Sequence, residues 1–302
     1  MSFFSLFTFH FSLFFRTFAG EMSYQQLWRR LAQHYDEGEA KAIARLVFEV
    51  RYGLTLADIL LGKDTQLSAD DQAELEEIAE RLQQNEPVQY VLGQADFCGR
   101  SFYVAPGVLI PRPETAEICN YLLAADLKST AKILDIGTGS GCIAITLAAE
   151  MPEAEVTAWD ISMKSLEIAK KNALRHHVDI HFQQVNILHS ALNTQQSPAI
   201  KFDLIVSNPP YICEKEKGEM EAHVVNYEPE IALFVPDNDP LLFYRAIAHH
   251  AIKALNLGGL LAVEINRAYG KETCELFKNI GFNDITLHTD SFGNHRFVTA
   301  TL

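Results

Sequence analysis

Four consecutive residues, Asn208-Pro209-Pro210-Tyr211, combine side-chain types that can hold a planar –NH₂ group. Asn208 offers a side-chain carbonyl oxygen, and the main-chain carbonyls beside two stiff prolines offer further acceptors. Two converging acceptors can take both hydrogens of a primary amide or amino group, and the Tyr211 ring can lie against its flat face. No strong base accompanies them. Such a site orients a weak nucleophile rather than deprotonating it first, and orientation alone can remove much of a barrier. The tetrapeptide follows Phe202 to Ser207, whose apolar middle reads as a buried parallel strand. Two prolines cannot continue a strand ladder, so the chain leaves the sheet at the strand's carboxyl end, where open α/β sheets bind ligands. A plain Pro-rich loop after a strand is the alternative, and the residues that precede it decide.

Those residues form a second constellation. Lys132 to Ile136 reads as a strand and Cys142 to Glu150 as a helix, joined by Gly137-Thr138-Gly139-Ser140-Gly141. Three alternating glycines let the backbone turn sharply and approach a bound cofactor closely. The loop is not the complete G-x-G-x-x-G dinucleotide fingerprint. It has the form D-x-G-x-G-x-G, and its leading Asp135 can meet an ammonium group. The next strand, Glu155 to Trp159, ends in Asp160, nineteen residues after Gly141, where an acid can accept both hydroxyls of a ribose. Asp160 can equally cap the helix that starts near Met163. A further strand, Ile180 to Val185, delivers Asn186 and Ile187 to the same sheet edge, where an asparagine can pair with an adenine edge.

The elements needed to position these groups follow from the alternation of patterns. After Asn208 come helix Leu241–Leu255, strand Leu260–Ile265, helix Gly270–Ile280, and strands Asp284–His288 and Arg296–Thr301. Alternating strands and helices over this length imply a mostly parallel sheet wrapped by helices. The turn Asp290 to Asn294 is too short to join parallel neighbours, so the last two strands are antiparallel. Upstream, residues 22–86 are helical throughout. Ala40, Ile43, Ala44, Val47 and Phe48 recur at the helix period, and Ser23, Thr55 and Ser68 stand at helix starts. Residues 87–112 change composition: Val88 to Leu92, Ala95 to Phe97 and Ser101 to Val104 read as extended segments of a hairpin-bearing linker. The α/β domain then occupies 113–302.

Whole-chain quantities bound the function. A 302-residue chain with 48% apolar and 21% charged residues is ordinary for a globular protein. A net charge of -14 argues against a broad phosphate-tracking surface, so no direct nucleic-acid contact is expected. The five cysteines lie far apart with no C-x-x-C pair, which suits a reduced, cytoplasmic protein and supplies no metal pattern. The pairs His176-His177 and His249-His250 lack ligand spacing and read as surface residues. Residues 1–21 differ from the rest, with eight phenylalanines before Gly20. They are too broken by polar residues for a membrane span, and the capping box Ser23-x-x-Gln26 directly after Met22 suggests an extension outside the fold.

The glycine loop, Asp160 and the Asn208 tetrapeptide, in that order, resemble class I methyltransferases that use S-adenosylmethionine. The segments Glu86 to Gly93, Val108 to Thr115, Val206 to Ile212, Tyr227 to Glu230 and Gly258 to Glu264 resemble, more narrowly, the release-factor glutamine N5-methyltransferase family of HemK/PrmC type. The resemblance runs from about Met22 to the C-terminus. It implies a Rossmann-like, seven-stranded, mostly parallel sheet with an antiparallel last strand, preceded by a small helical bundle and a hairpin. It implies that Gly137 to Gly141 cradle the methionine part of the cofactor and Asp160 its ribose. Asn208 and Pro209 would hold the carboxamide nitrogen of a glutamine, with Tyr211 on its plane. The substrate would be the Gly-Gly-Gln glutamine of class 1 peptide-chain release factors, docked by the bundle. The chain departs from the family at Asn186-Ile187, where an Asp and an aromatic are common, and at Ala116, where a second acid is common. The same tetrapeptide also serves DNA adenine methyltransferases, which flip a base into the pocket. Those need a basic groove and a target-recognition domain that this acidic chain lacks. A ribosomal-protein glutamine methyltransferase and a non-catalytic cofactor-binding module are the other readings.

Overall fold

The computed structural model of the protein describes residues 22–190, 200–290 and 293–302. The expectation for residues 1–21, and the middle of the expected turn at 290–294, lie outside them. The chain divides into two units, one ending at Val88 and the other running from Gln89 to Leu302.

In the first unit each helix begins where a short polar side chain takes over an orphan backbone N–H. Helix α1 (Tyr24–Leu31) starts on Ser23 in the capping box expected with Gln26. Asp36 caps α2 (Glu37–Tyr52), Thr55 caps α3 (Leu56–Leu60) and Ser68 caps α4 (Ala69–Gln83). Gly53, at φ 66°, stops α2 in the left-handed region. The periodic residues Ala40, Ala44, Val47 and Phe48 are wholly buried, as are Leu27 and Leu31 of α1 and Leu75 and Leu82 of α4. Arg30 ties α1 to α4 through Glu76 and Gln83.

The junction differs from expectation. Val88–Leu92 forms a short helix, α5, not an extended segment. Tyr90 is buried there and donates its hydroxyl to the Val108 carbonyl (2.5 Å), so tertiary packing overrides the strand preference of two valines. Strands β1 (Gln94–Phe97) and β2 (Arg100–Tyr103) follow as an antiparallel hairpin. Cys98 and Gly99 both have positive φ, as the two central positions of a tight hairpin turn with right-handed strand twist require.

The rest of the second unit alternates as anticipated. Its elements are α6 (Pro113–Ala124), β3 (Lys132–Ile136), α7 (Cys142–Glu150), β4 (Glu155–Asp160), α8 (Met163–Arg175), β5 (His181–Gln184) and α9 (Ile187–Ser190). Then come β6 (Phe202–Ser207), β7 (Ile212–Cys213), α10 (Ala222–Tyr227), α11 (Glu230–Leu233), β8 (Phe234–Val235) and α12 (Leu242–Ala254). The chain closes with β9 (Leu255–Glu264), α13 (Gly270–Ile280), β10 (Asn283–Thr289) and β11 (His295–Thr301). Seven strands form one sheet in the order β10-β11-β9-β6-β3-β4-β5. Among the described residues of this sheet, β11 pairs antiparallel with both of its neighbours and the remaining pairs are parallel.

Successive residues of the central strands face opposite sides, and both sides are covered. Ile133, Leu204 and Val206 pack with Ile118, Leu122 and Ile143 of α6 and α7. Leu134, Ile205 and Leu261 pack with Ile247 and Ala251 of α12 and with Phe277 of α13. The hairpin is fastened to α8 by Asn172, whose side chain accepts from the Tyr103 N–H (2.7 Å) and donates to the Tyr103 carbonyl (2.9 Å). From β3 the chain winds outward to β5, then returns on the other side through β6. The crevice between the ends of β3 and β6 is therefore the topological switch point, where ligands of open α/β sheets bind.

Candidate active site

The two expected constellations leave the sheet side by side. Ile136 and Ser207 are register partners, and the Ser207 hydroxyl donates to the Ile136 carbonyl (2.6 Å). Gly137 and Asn208 are the next residues of each strand. A Cβ on Gly137 would stand 3.9 Å from the Asn208 carbonyl oxygen. The glycine turn is held open from behind: the N–H groups of Gly137 and Thr138 both donate to the Trp159 carbonyl (2.8 and 2.9 Å). Gly141 has another task. At φ 83° it sits where a Cβ would meet Ile145 at 2.9 Å and Ala169 at 3.2 Å, so it lets α7 lie against α8. Gly141→Ala is expected to lower stability by about 1–3 kcal/mol, measured by denaturant unfolding, through left-handed strain and overpacking.

A cavity of about 220 Å³ lies over this turn. Its wall includes Gly137, Thr138, Gly139, Ser140, Asp160, Asn186, Ile187, Asn208, Pro209 and Pro210. Asp135 and Gly141 are not on that wall. Asp135 is wholly buried beneath the loop, where one carboxylate oxygen accepts from the Thr138 hydroxyl (2.7 Å) and the other has no partner. Burial pushes its carboxyl up to about 7, against the pull of the Thr138 hydrogen bond. Asp160 does face the cavity while its two oxygens accept from the Gly139 N–H (2.9 Å) and the Ser162 N–H (2.8 Å). Burial raises its carboxyl too, and these N–H groups oppose the rise. Asp160 does not cap α8; Ser162 does, accepting from Ser165. Asn186 lines the cavity with its side-chain oxygen already engaged by the Leu188 N–H (3.0 Å). His250, expected at the surface, is instead buried beside Trp159.

A second cavity, of about 330 Å³, adjoins the first and shares Leu109, Arg112, Asn208, Pro209 and Ala232 with it. Tyr211 and Ile212 belong to this second space, as do Met220 and Val224 of the segment that follows the bend. The bend itself is anchored from several directions. The short parallel pairing of β7 with β8 holds the chain just after Tyr211, and Asn266 donates to the Tyr211 carbonyl (3.1 Å). Asn208 Nδ2 donates to Thr115 Oγ1 (3.0 Å), Thr115 Oγ1 donates to Glu264 Oε2 (2.7 Å), and the Tyr211 hydroxyl donates to Glu264 Oε1 (3.0 Å). Glu264 is buried, and burial raises its carboxyl while the two hydroxyls hold it down. Arg112 reaches both cavities while paired with buried Glu228 (2.5 Å), which also accepts from the Ile110 N–H (3.0 Å).

Among the residues marked out by sequence, the structure thus brings Asn208 to Tyr211, Gly137 to Ser140, Asp160, Asn186 and Ile187 around two adjoining cavities that share Asn208 and Pro209. Sequence reasoning gave no role to Thr115, Glu228 or Glu264. Each lies in a family-like segment, but the pairings span 93 to 149 positions and only the fold discloses them. The described residues contain no group of three or more His, Cys, Asp or Glu arranged to hold a metal ion. Nor do they contain a helix long and apolar enough to cross a membrane.

Residues 114–226 match the methyltransferase small domain family, and residues 24–93 match the PrmC N-terminal domain. A release factor glutamine methyltransferase of Bacteroides thetaiotaomicron is 48% identical over 88% of this chain and 94% of its own. One of Flavobacterium psychrophilum is 43% identical over 90% of this chain and 95% of its own. The crystal structure of the hMettl16 catalytic domain in complex with MAT2A 3'UTR hairpin 6 shares the fold. Its TM-score is 0.52 at 19% identity, covering 71% of this chain and 79% of that one.

Proposed function

The chain belongs to the release factor glutamine methyltransferase family, and from that premise we propose that it transfers a methyl group from S-adenosylmethionine to the side-chain amide nitrogen of the glutamine in the Gly-Gly-Gln segment of a class 1 release factor. The observation that carries this reading is that Asn208 and Pro209 stand on the wall common to both cavities. A group held by them from one side faces whatever occupies the other.

The donor set around the first cavity suits this cofactor. Asp160 keeps lone pairs for two ribose hydroxyls after accepting its two backbone N–H groups, since each carboxylate oxygen has two. The glycine turn leaves no side chain between its backbone and the cavity at Gly137 and Gly139. Ile187 and Asn186 supply an apolar wall and an amide at the far end, for the base. Bound S-adenosylmethionine supplies a methyl carbon made electrophilic by a positively charged sulfur. In the second cavity Asn208 Oδ1 and the Pro209 carbonyl accept the two hydrogens of the glutamine –NH₂, and Tyr211 packs on the plane of the amide. Fixing both hydrogens fixes the direction of the nitrogen, and that positioning is the chain's main contribution to rate. No strong base is required. The amide nitrogen sheds a proton once its alkylation has made it acidic. The helical bundle of residues 22–86 docks the body of the release factor, and the protein acts in the cytoplasm.

Incubation with methyl-labelled S-adenosylmethionine and, separately, a class 1 release factor, ribosomal proteins or DNA tests the substrate class. Label is expected in the release factor alone. Label in ribosomal protein or DNA, with the release factor left unmodified, would overturn the assignment.

A further inference from the structure

The side chain of an asparagine can sit either way round, and only one way suits an amide-gripping site. With Oδ1 towards the second cavity, Asn208 accepts from a substrate –NH₂. With Nδ2 there, it meets that group donor to donor and repels it. The direction of the amide follows from the hydrogen-bond network around it. Glu264, ionised, can only accept, and it receives one proton from Thr115 and one from Tyr211. The Thr115 hydroxyl has a single proton, and that proton is committed to Glu264. Towards Asn208 it therefore offers only lone pairs, and only the Nδ2 side of the amide can meet them.

We propose that Glu264 and Thr115 are positioning residues that dictate which way round the Asn208 amide sits, and that the same carboxylate sets the Tyr211 ring. This rests on the reading of Asn208 Oδ1 as an acceptor for the substrate amide. Glu264 and Thr115 come from two different elements, the end of β9 and the first turn of α6, and meet in one hydrogen bond. One buried carboxylate thus orients both jaws of the clamp without lining either cavity.

The device works only while Glu264 is ionised. Protonated, it becomes a donor on one oxygen. If that oxygen faces Thr115, the hydroxyl is released to donate to Asn208, and the amide turns its nitrogen to the substrate. Several groups face Glu264 besides these two. Glu114 of α6 disfavours its charge, Arg296 of β11 favours it, and the Tyr244 hydroxyl of α12 also lies within its field. Burial dominates and raises the carboxyl. Activity is therefore present above the raised pKa and is lost as pH falls through it, at a pH above the ordinary carboxylate range.

Thr115→Val keeps the side-chain shape but removes the oxygen. It is expected to lower kcat about 10- to 100-fold, more than any change in cofactor affinity that follows from its place on the wall of the first cavity, and Thr115→Ser is expected to restore most of the rate. Glu264→Gln is expected to lower kcat and to abolish the acid limb of the wild-type profile, measured at saturating cofactor and release factor. Wild-type kcat in Thr115→Val, or an acid limb that persists in Glu264→Gln, would overturn the proposal. Asn208→Ala measured in parallel separates the two levels. If it retains activity, the acceptor role of Asn208 fails; if it is inactive while Thr115→Val is not, the positioning role alone fails.

Discussion

Alanine at position 208 is expected to slow methyl transfer about 100- to 1,000-fold while leaving cofactor affinity nearly intact. The magnitude is that of deleting one preorganised polar group from a site that works by orientation and electrostatics. In the proposed mode Asn208 and the Pro209 carbonyl hold one hydrogen each, so removing the side chain would leave the –NH₂ free to rotate about the remaining bond. The fold around the bend should survive, because β6, the β7–β8 pairing and the Asn266 bond hold the backbone on both sides. Asn208→Asp is expected to fare little better. One carboxylate oxygen would face the Thr115 lone pairs with no proton between them, an unpaired contact that is costly when buried. Single-turnover rates with saturating cofactor give the transfer step directly, and isothermal titration gives the affinity.

Asp160→Ala is expected to act on the other side of the site. Loss of the carboxylate proposed to hold two ribose hydroxyls should weaken S-adenosylmethionine binding about 100-fold, since each hydrogen bond to a charged group contributes about 1.5–3 kcal/mol and part is recovered by water. At saturating cofactor kcat should stay within a few-fold of wild type, because the clamp on the amide is untouched. The substitution also leaves the Gly139 and Ser162 N–H groups without their partner, so stability should fall by about 1–3 kcal/mol. Calorimetric titration and denaturant melts check the two parts separately.

The candidate site residues were legible because their types depart from what a fold alone demands. Nothing in a parallel sheet calls for two prolines at the end of a central strand, or for three alternating glycines after another. The mostly parallel sheet followed from the β/α alternation, and the antiparallel pairing of the last two strands from the shortness of their connection; the order of the strands is disclosed only by the fold. Val88 to Leu92 misled because valine preference is local, whereas the Tyr90 bond to Val108 is a tertiary fact. Gly141 looked like a third cofactor contact because loops are read by pattern; its conformation and close neighbours assign it to helix packing. Asp135 heads the motif yet lies under the turn, off the cavity wall. Least legible was the Asn208-Thr115-Glu264-Tyr211 chain. A threonine in a helix's first turn and a glutamate closing an apolar strand each have bland local readings, and their meeting depends on β6 and β9 being neighbours.

The most direct test of the amide clamp is tandem mass spectrometry of a release factor carried to completion with the purified protein and excess S-adenosylmethionine. A grip that needs both hydrogens of a primary amide predicts one methyl on the Gly-Gly-Gln glutamine side chain. It predicts none when that residue is glutamate, and no second methyl once one hydrogen is gone. A dimethylated glutamine, or an equally methylated glutamate variant, would contradict it.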